Sequence, residues 1–533
     1  PGVTISVSAA PYTYIYNTPG NYQVTNSIFG QSCPRTISIG SCSTPPCCNA
    51  HFDGELNIEC SVLRFNLTPE CTSGTSSWAL VSPLPCAKVI GPLATGAQLT
   101  NINTDIYPQV IVRHTYTCED GTIISEDKAI NVPPGVYIGE SGQTRPLTDY
   151  ECALPGSSYG GALTVYVSGV VSIDKDFTFS ATTMLIERGF SRFDVRTGKT
   201  LTLNQQTTLK SGCGDLWRGI YVLSNGRLVT NNATVSEALF ATRPLRSSIL
   251  SLTSSRFVKN FIGLYAIDGP FANLNFRQNT YDGAGPLKGI GILQTLIAGI
   301  EATNSSFVDD LQQVVYSTDQ GFAGMFLRDI GSFNPNTSVL AIPDQNIFRN
   351  LSAGISTQNT SLRMRRVARF MNIVPGPYVS YVSAAVRCWD ETGGTYFVAG
   401  NMSSGISDFQ NSAIGVIILA SALRTGIHIA DNRMTGMETG VCVIALGAGT
   451  LLGVESSSRF KGICRNDITV DSHFGQGVAL GAGILLHTDN PASWGRIDVW
   501  ENKVIFNHNT SSGFTTGLIG SAGIWLGAVQ ALL

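Results

Sequence analysis

Short runs of apolar residues alternate with polar residues through most of the chain. Typical runs are Ile220-Tyr221-Val222, Val416-Ile417-Ile418 and Val441-Cys442-Val443-Ile444, in which β-branched and aromatic side chains predominate. No stretch sustains the period of about 3.6 residues that marks an amphipathic helix. The pattern therefore predicts many short β-strands and few helices.

A sequence motif recurs from residue 257 onward. It begins with Asn or Ser and a Phe, continues with polar residues, and ends with Gly followed by Ile, Val or Leu. Gly415 and Gly440 of two adjacent copies are 25 residues apart, and a period of roughly 20 to 26 residues is typical of a solenoid. The copies are Phe257 to Leu264, Phe348 to Ile355, Phe409 to Val416 and Asn432 to Val441, with looser forms before Gly483 and Gly523.

The composition of these repeats favours a β-solenoid over a helical one. One repeat is too small to bury its own apolar face, so only the stacking of repeats creates a core. Gly and Asn at the bends supply the positive φ angles that let short strands turn corners. We expect related corners to be occupied by Gly263, Gly354, Gly415, Gly440, Gly483 and Gly523.

Composition narrows the classes of function. Only 13% of the 533 residues are charged, which is about half the usual share and fits sheets that are buried on two sides. A net charge of −3 argues against a general nucleic-acid-binding protein, because such proteins carry a basic excess. No apolar run reaches about 18 residues, so we predict no transmembrane segment. The chain begins at Pro1 without a signal peptide, which we interpret as the mark of a processed product.

Cysteines are concentrated near the N-terminus. This density in a small β-rich region predicts disulfides and an oxidising exterior, although the pairing cannot be deduced from sequence. The alternative is a metal site at Cys47-Cys48-x-x-His51, which lacks a second pair of ligands at a suitable spacing. We therefore predict disulfides and no metal for the eight cysteines Cys33, Cys42, Cys47, Cys48, Cys60, Cys71, Cys86 and Cys118.

The chain divides into three predicted parts. Residues 1–40 resemble the closing strands of an immunoglobulin-like sandwich, with a turn at Asn17 to Gly20. Residues 41–133 form a complete second sandwich, and Val132 to Gly135 is a linker in which two prolines and a glycine interrupt any strand. Residues 134–533 form the solenoid. The strands predicted for the sandwiches are Tyr12 to Tyr16, Tyr22 to Thr25, Thr36 to Ile39, Glu55 to Ile58, Ser61 to Leu67, Trp78 to Val81, Gln109 to Thr115 and Lys128 to Val132.

Two segments resemble a known module. Pro11 to Thr25 (PYTYIYNTPGNYQVT) and His114 to Gly121 (HTYTCEDG) are similar to the signature near the end of polycystic-kidney-disease-type (PKD) domains. The Trp-Asp-Phe-Gly-Asp-Gly turn of that family is missing, and only Trp78 stands where its Trp is expected. The resemblance implies spacer or carbohydrate-contacting modules of secreted proteins.

The later part resembles the right-handed parallel β-helix of large secreted proteins of the Bacteroidota type. The resemblance rests on Ser172 to Phe177 (SIDKDF), Gly198 to Leu203 (GKTLTL), Cys213 to Ile220 (CGDLWRGI) and Asn231 to Phe240 (NNATVSEALF), and it covers residues 135–533. It implies an all-β chain whose largest part is a right-handed parallel β-helix. It also implies export of the type IX secretion kind, through a removable C-terminal signal that is not visible here.

The best candidates for catalysis lie near the C-terminal end of the sequence. Parallel β-helices often host polysaccharide lyases and hydrolases, which use clustered carboxylates for proton transfer or for Ca²⁺. Asp467, Asp471 and His473 share strand parity, and His487 and Asp489 follow about one repeat later. This register puts Asp467 beside His487. The interpretation that we favour is that all five are solvated strand ends.

Three further groups of residues are candidates for binding or chemistry. Arg363, Arg365, Arg366 and Arg369 form a basic cluster that suits an anionic glycan or lipid head group. The favoured alternative is an exposed strand face whose arginines discourage edge pairing.

The remaining two groups are short. Cys388 to Glu391 (CWDE) lies in an apparent insertion at about 365–400, which predicts a loop that projects from the solenoid. Asp309 and Asp310 are adjacent, so in a strand they would point to opposite faces and carry little signal.

Taken together, these patterns predict an extracellular or cell-surface structural or adhesive protein with no cofactor, rather than an enzyme. We expect it to be part of a filament, a larger assembly or a longer chain, with other copies, other surface proteins, glycans or secretion machinery as partners. The alternatives are a carbohydrate-active β-helix enzyme, for which Ca²⁺ is the conceivable ion, and a passenger of a secretion system.

Overall fold

The computed structural model describes most residues of the chain. These residues contain 3₁₀ turn Leu147–Tyr150 and β-strands but no α-helix, so the prediction of an all-β protein is confirmed. None of the described helical segments is long and apolar enough to cross a membrane. The described residues are 20–28, 31–39, 47–81, 86–267, 269, 273–277, 280–282, 284–290, 315–333, 346–365, 368–374, 382–391, 394–400, 408–421, 424–445, 451–452, 462–471, 482–488, 499–507 and 524–527.

The N-terminal part is antiparallel. β1 (Gly20–Ile28) and β2 (Gln31–Ile39) form a hairpin, and the predicted strand Tyr12 to Tyr16 lies outside the described residues. One sheet then has the order β3-β4-β7-β6 and another β10-β9-β5, with Phe52, Phe65 and Val112 in the core that they share. The strands are β3 (Phe52–Glu59), β4 (Val62–Pro69), β5 (Thr75–Leu80), β6 (Lys88–Ile90), β7 (Gln98–Thr100), β8 (Ile102–Asn103), β9 (Gln109–Thr117) and β10 (Ile123–Asn131).

From residue 136 onward the pairing is almost entirely parallel, and the strands form three columns. β11 (Val136–Pro146) pairs with β13 (Val165–Ile173), whose two halves begin columns A and B. β29 (Val315–Phe333) and β30 (Asn346–Arg365) are long and run through more than one column, and β28 (Ala284–Ile290) pairs antiparallel with the start of β29. Column A continues through β15 (Thr183–Ile186), β18 (Thr208–Ser211), β21 (Thr234–Ser236), β24 (Arg256–Val258), β27 (Thr280–Asp282), β31 (Ala368–Ile373), β34 (Phe409–Gln410), β37 (Arg433–Met437), β41 (Asp467–Asp471) and β44 (Lys503–Asn507).

Columns B and C complete each circuit of the chain. Column C has two sections, of which the first is the six-stranded sheet β12-β14-β17-β20-β23-β26. Column B contains β16 (Arg192–Val195), β19 (Trp217–Val222), β22 (Ala238–Pro244), β25 (Ile262–Ile267), β32 (Ala384–Asp390), β35 (Ile414–Ala420), β38 (Thr439–Ala445), β42 (Ile484–Thr488) and β45 (Ile524–Gly527). Column C contains β12 (Ser158–Tyr159), β14 (Phe177–Ser180), β17 (Thr200–Asn204), β20 (Arg227–Asn231), β23 (Ile249–Thr253), β26 (Asn273–Arg277), β33 (Thr395–Ala399), β36 (Arg424–Ala430), β39 (Leu451–Leu452), β40 (Gly462–Cys464) and β43 (Val499–Trp500).

A row of aromatic rings from column A runs through the core, and we call it the aromatic ladder. Its members stack nearly parallel, with centroids 4.8 to 5.1 Å apart. Met434 and Ile468 follow at the same register position in the next two strands. Stacking identical positions of successive circuits thus creates a continuous core. The ladder consists of Phe257, Tyr281, Phe348, Phe370 and Phe409.

The motif glycines occupy one register position in column B, but they do not lie at corners. Gly263, Gly354, Gly415 and Gly440 lie inside strands, and none of them has a left-handed φ. A Cβ at Gly263 would come within 2.5 Å of Cδ1 of Tyr281 in the aromatic ladder. The predicted corner position is therefore wrong, because glycine is needed for close approach of the backbone to the ladder. Gly483 directly precedes β42, and Gly523 is outside the described residues.

Many corners are made by non-glycine residues. Asn232 and Asp431, between columns C and A, have φ values of 54° and 57°. Asn350, Asn372 and Asn411, between columns A and B, are also left-handed, and Nδ2 of Asn372 donates to Oδ1 of Asn350 over 3.3 Å. Asparagine tolerates this conformation better than most residues. The predicted role of Asn at the bends is therefore confirmed.

The antiparallel part covers the free edge of β11. β8 pairs antiparallel with β11, so Val136 lies opposite Asn103. Beyond β8, Oγ1 of Thr100 and Nε2 of Gln98 donate to the Gly139 carbonyl, and Oε1 of Gln98 accepts from the Ser141 backbone N–H over 2.9 Å. Backbone groups of an open strand edge would otherwise invite pairing with another chain. The first parallel strand is thus closed by the N-terminal sheets.

Candidate functional site

The predicted catalytic residues are separated by the fold. Asp467 lies in column A, opposite Arg433 on one side and Lys503 on the other. His487 lies in column B, opposite Ile444 and Gly527. The expected pairing of Asp467 with His487 is therefore wrong. Residues pair with residues of the adjacent strand in the same column, and a separation of about one repeat in sequence does not ensure that two residues share a column.

The surroundings of Asp467 suit an ion pair better than proton transfer. Nε of Arg433 is 3.8 Å from Oδ2 of Asp467, and both side chains are partly exposed. Lys503 follows at the same position of the next strand, so the charges alternate in sign along the row. Asp471 ends the same strand, while His473 and Asp489 lie outside the described residues.

The four arginines do not form one surface. Arg363 is exposed in column C, where its guanidinium lies 5.8 Å from the centroid of Phe397, and that ring stacks on His428 at 4.6 Å. Arg369 lies in column A and is partly buried. Arg365 ends β30, and Arg366 is outside the described residues.

The edge-strand interpretation of these arginines is also wrong for Arg363. The C-terminal part of β30 pairs with β29 through Leu362 opposite Phe333, and with β33 through Arg363 opposite Phe397. Arg363 therefore lies on a central strand, where its cation packs on an aromatic ring.

The segment Cys388 to Glu391 is not a projecting loop. Cys388, Trp389 and Asp390 belong to β32, which pairs with β30 and β35. Oδ2 of the buried Asp390 accepts from the Gly394 N–H and from Oγ1 of Thr425, which fixes the corner that follows. Burial raises the pKa of the Cys388 thiol to about 12, so this thiol is unreactive at neutral pH. Asp309 and Asp310 lie outside the described residues.

Disulfides are the most distinctive chemistry of the N-terminal part. Six of the eight predicted cysteines are bonded, within Cys47–Cys71, Cys48–Cys118, Cys60–Cys213 and Cys86–Cys152. The side chain of Cys33 and the whole of Cys42 are outside the described part of the chain. The last two bonds join the antiparallel sheets to the parallel columns. The sequence prediction missed Cys152 and Cys213 because both lie beyond the N-terminal cluster of cysteines.

The predicted alternative of a metal site at Cys47, Cys48 and His51 does not fit this arrangement. Both thiols are consumed by disulfides, and Nδ1 of His51 is 3.2 Å from the carboxylate of Glu126. Among the described residues, Cys48, Cys118 and Asp120 lie close enough together to hold a metal ion. The sulfurs of Cys48 and Cys118, however, are bonded to each other. A disulfide sulfur is not a thiolate ligand.

Buried asparagines form a second ladder near the end of the parallel part. Nδ2 of Asn432 donates to Oδ1 of Asn466 over 2.9 Å, and Nδ2 of Asn466 donates in the same way to Asn502. Each amide also donates to a backbone carbonyl at the corner, as Asn466 does to Ile429. These contacts lock the register of successive circuits. The ladder has the character of a structural support and offers no reactive group.

Comparisons of the chain with protein-family models, with curated proteins and with solved structures yield no match. The function proposed below therefore depends on the geometry of the described residues.

Proposed function

We propose that the protein is an extracellular or cell-surface structural and adhesive element. In this proposal residues 134–533 form a right-handed parallel β-helix, preceded by immunoglobulin-like modules of the PKD type at 1–40 and 41–133. The observation that carries it is the register of the three columns, since equivalent residues recur in successive circuits. Such stacking produces a stiff rod whose length grows with every circuit.

The dimensions of the stack support a spacer role. Column B contains eleven successive parallel pairings among the described strands, which at about 4.8 Å per step extend over roughly 50 Å. The aromatic ladder and the asparagine ladder stiffen this stack from inside. The four disulfides are consistent with a secreted protein.

Small-angle X-ray scattering of the intact chain tests the architecture. A compact protein of this length has a radius of gyration of about 24 Å. We expect a larger value and a distance distribution with a long tail. A radius of gyration at or below about 24 Å would contradict a rod.

The enzyme alternative is tested separately. Incubation with acidic and neutral polysaccharides, with and without Ca²⁺, should release neither unsaturated products nor new reducing ends. Cleavage that is lost in Asp467→Ala or in His487→Ala would replace the structural proposal with an enzymatic one.

A further inference from the structure

The outer face of the six-stranded sheet in column C is unusually regular. From β12 to β26 the strands pair in parallel without a single register shift. Side chains alternate strictly between the core and the outside, as in β17, where Leu201 and Leu203 are buried while Thr200, Thr202 and Asn204 are partly exposed. Outward side chains therefore form rows about 4.8 Å apart across the strands and about 6.6 Å apart along them.

These rows consist mainly of uncharged hydroxyl and amide groups, and we call this surface the hydroxyl face. In one row Ser180, Asn204, Asn231 and Thr253 follow one another at the same register position. The neighbouring row contains Ser158, Thr178, Thr202, Val229 and Ser251 in the same manner.

The hydroxyl face carries few charges. Among the outward positions of β12, β14, β17, β20 and β23, Arg227 is the one charged residue, and Arg277 follows Thr253 at the same register position in β26. Its neighbours in the same row, Thr200 and Ile249, are neutral. An uncharged face matches an uncharged partner, because a charged polymer would lose its hydration here without gaining an opposite charge.

The polar groups of the hydroxyl face are available to a partner. Within the described part of the chain, the side chains of Thr178, Thr202, Asn231 and Ser251 make no hydrogen bond to the protein, and Asn231 is exposed. Each hydroxyl offers a donor and an acceptor, and each amide offers both as well. The face therefore presents a repeating array of bonding groups to solvent.

We propose that the hydroxyl face binds the surface of an uncharged polysaccharide. This inference deepens the adhesive role proposed above and depends on it. A polyhydroxylated polymer repeats donors and acceptors along its length, as the rows of the face do, and the apolar side chains Val229 and Ile249 suit the C–H faces of sugar rings. Arg227 is exposed on this face, and a long charged side chain there is compatible with a glycan chain but not with close contact to a rigid plane such as ice.

Energetics predict a preference for polymers. A single hydrogen bond at such a surface contributes only about 0.5–1.5 kcal/mol net, so one sugar unit gains too little to stay bound. Several rows that engage neighbouring units of one polymer act together, because every contact after the first is intramolecular. Soluble monosaccharides should therefore compete poorly with the insoluble polymer.

Co-sedimentation of the full chain tests the proposal. The probes are particles of cellulose, chitin and insoluble β-1,3-glucan, with cross-linked pectate and alginate as anionic counterparts. The variant Thr178→Arg/Thr202→Arg puts two long cations into the middle of the face and should lower the affinity at least about tenfold. Thr178→Val/Thr202→Val removes only the hydroxyls and should weaken binding less. Thr72→Arg/Thr75→Arg changes exposed threonines of the antiparallel part and should bind like the unmodified chain.

The outcomes separate this inference from the proposed function. Binding to at least one neutral polymer that is lost in Thr178→Arg/Thr202→Arg, with unchanged circular dichroism and unchanged binding by the control, supports the inference. No binding to any neutral polymer, equal loss in the control, or preference for pectate or alginate would overturn it. Inhibition of ice recrystallisation by the unmodified chain would overturn it too. None of these results affects the scattering curve, so the rod architecture is tested independently by the scattering experiment.

Discussion

Replacing Tyr281 by Phe should stabilise the protein, although it removes a polar group. Tyr281 is 1% exposed, and its ring stacks between Phe257 and Phe348 in the aromatic ladder at 5.0 and 4.8 Å. Its hydroxyl has no hydrogen-bond partner among the described residues, and burial raises the pKa of the phenol, so it stays protonated at every practical pH. Burying an unsatisfied hydroxyl costs about 1–3 kcal/mol. The Phe variant keeps both stacks and leaves only a small gap, so we expect a gain of about 1 kcal/mol.

The matched control is Tyr116→Phe in the antiparallel part. Tyr116 is equally buried, but its hydroxyl accepts a hydrogen bond from the Gly74 N–H. The same substitution there leaves a backbone donor unsatisfied and should cost about 1–3 kcal/mol. Urea denaturation followed by circular dichroism, with midpoint and slope fitted for each variant, gives both changes. A Tyr281→Phe variant that is less stable than the parent by 1 kcal/mol or more would show that the hydroxyl has a partner and would refute the reasoning.

Three further expectations follow from the structure. Gly440→Val should destabilise the stack by about 1–3 kcal/mol or more, because a Cβ would lie 2.6 Å from Cγ2 of Ile468, and an unchanged urea midpoint would contradict the close approach. Alkylation of the denatured but unreduced protein, read by peptide mass, should leave all eight bonded cysteines unlabelled and modify the three described free thiols, Cys388, Cys442 and Cys464. Burial raises the pKa of Glu438 from 4.5 to about 7, so the folded state holds its proton more tightly than the unfolded state. That contribution to stability is complete below pH 4.5 and is lost as the pH rises through 7, and Glu438→Gln should flatten the pH dependence in this window.

The sequence predicted an all-β chain because the residues of its repeat pack against each other in the large parallel sheet. The Phe of the motif became the aromatic ladder, and the Gly of the motif became the row that faces it, as Gly354 faces Phe370. The reason assigned to the glycines was nevertheless wrong. The sequence shows where a glycine occurs but not why it is needed there. A bend with positive φ and a close approach of the backbone to an aromatic ring both favour glycine. Only the register of the strands in the structure distinguishes these two reasons.

The candidate site was less predictable for a related reason. Sequence spacing suggested that Asp467 and His487 are neighbours, whereas the circuits here vary in length and contain insertions such as the β28 hairpin. Because the circuits differ in length, a residue about 20 positions later in the sequence can lie in either of two columns. The disulfides Cys60–Cys213 and Cys86–Cys152 were missed for a different reason, since one partner of each bond lies beyond the N-terminal cysteine cluster and the bonded residues are 153 and 66 positions apart in sequence.

In-register stacking also explains why the described columns carry so little clustered charge. Equivalent residues of adjacent strands are about 4.8 Å apart, and like charges that face each other across strands are destabilising. One charged row alternates in sign, from Arg433 through Asp467 to Lys503. Asp467 therefore has a cation on each side instead of the second carboxylate that glycan hydrolysis commonly uses. Neutral Ser, Thr and Asn incur no like-charge repulsion and can repeat at the same position through many circuits. Avoidance of like charges on adjacent strands therefore favours a long neutral array, and this is why we assign adhesion to the hydroxyl face.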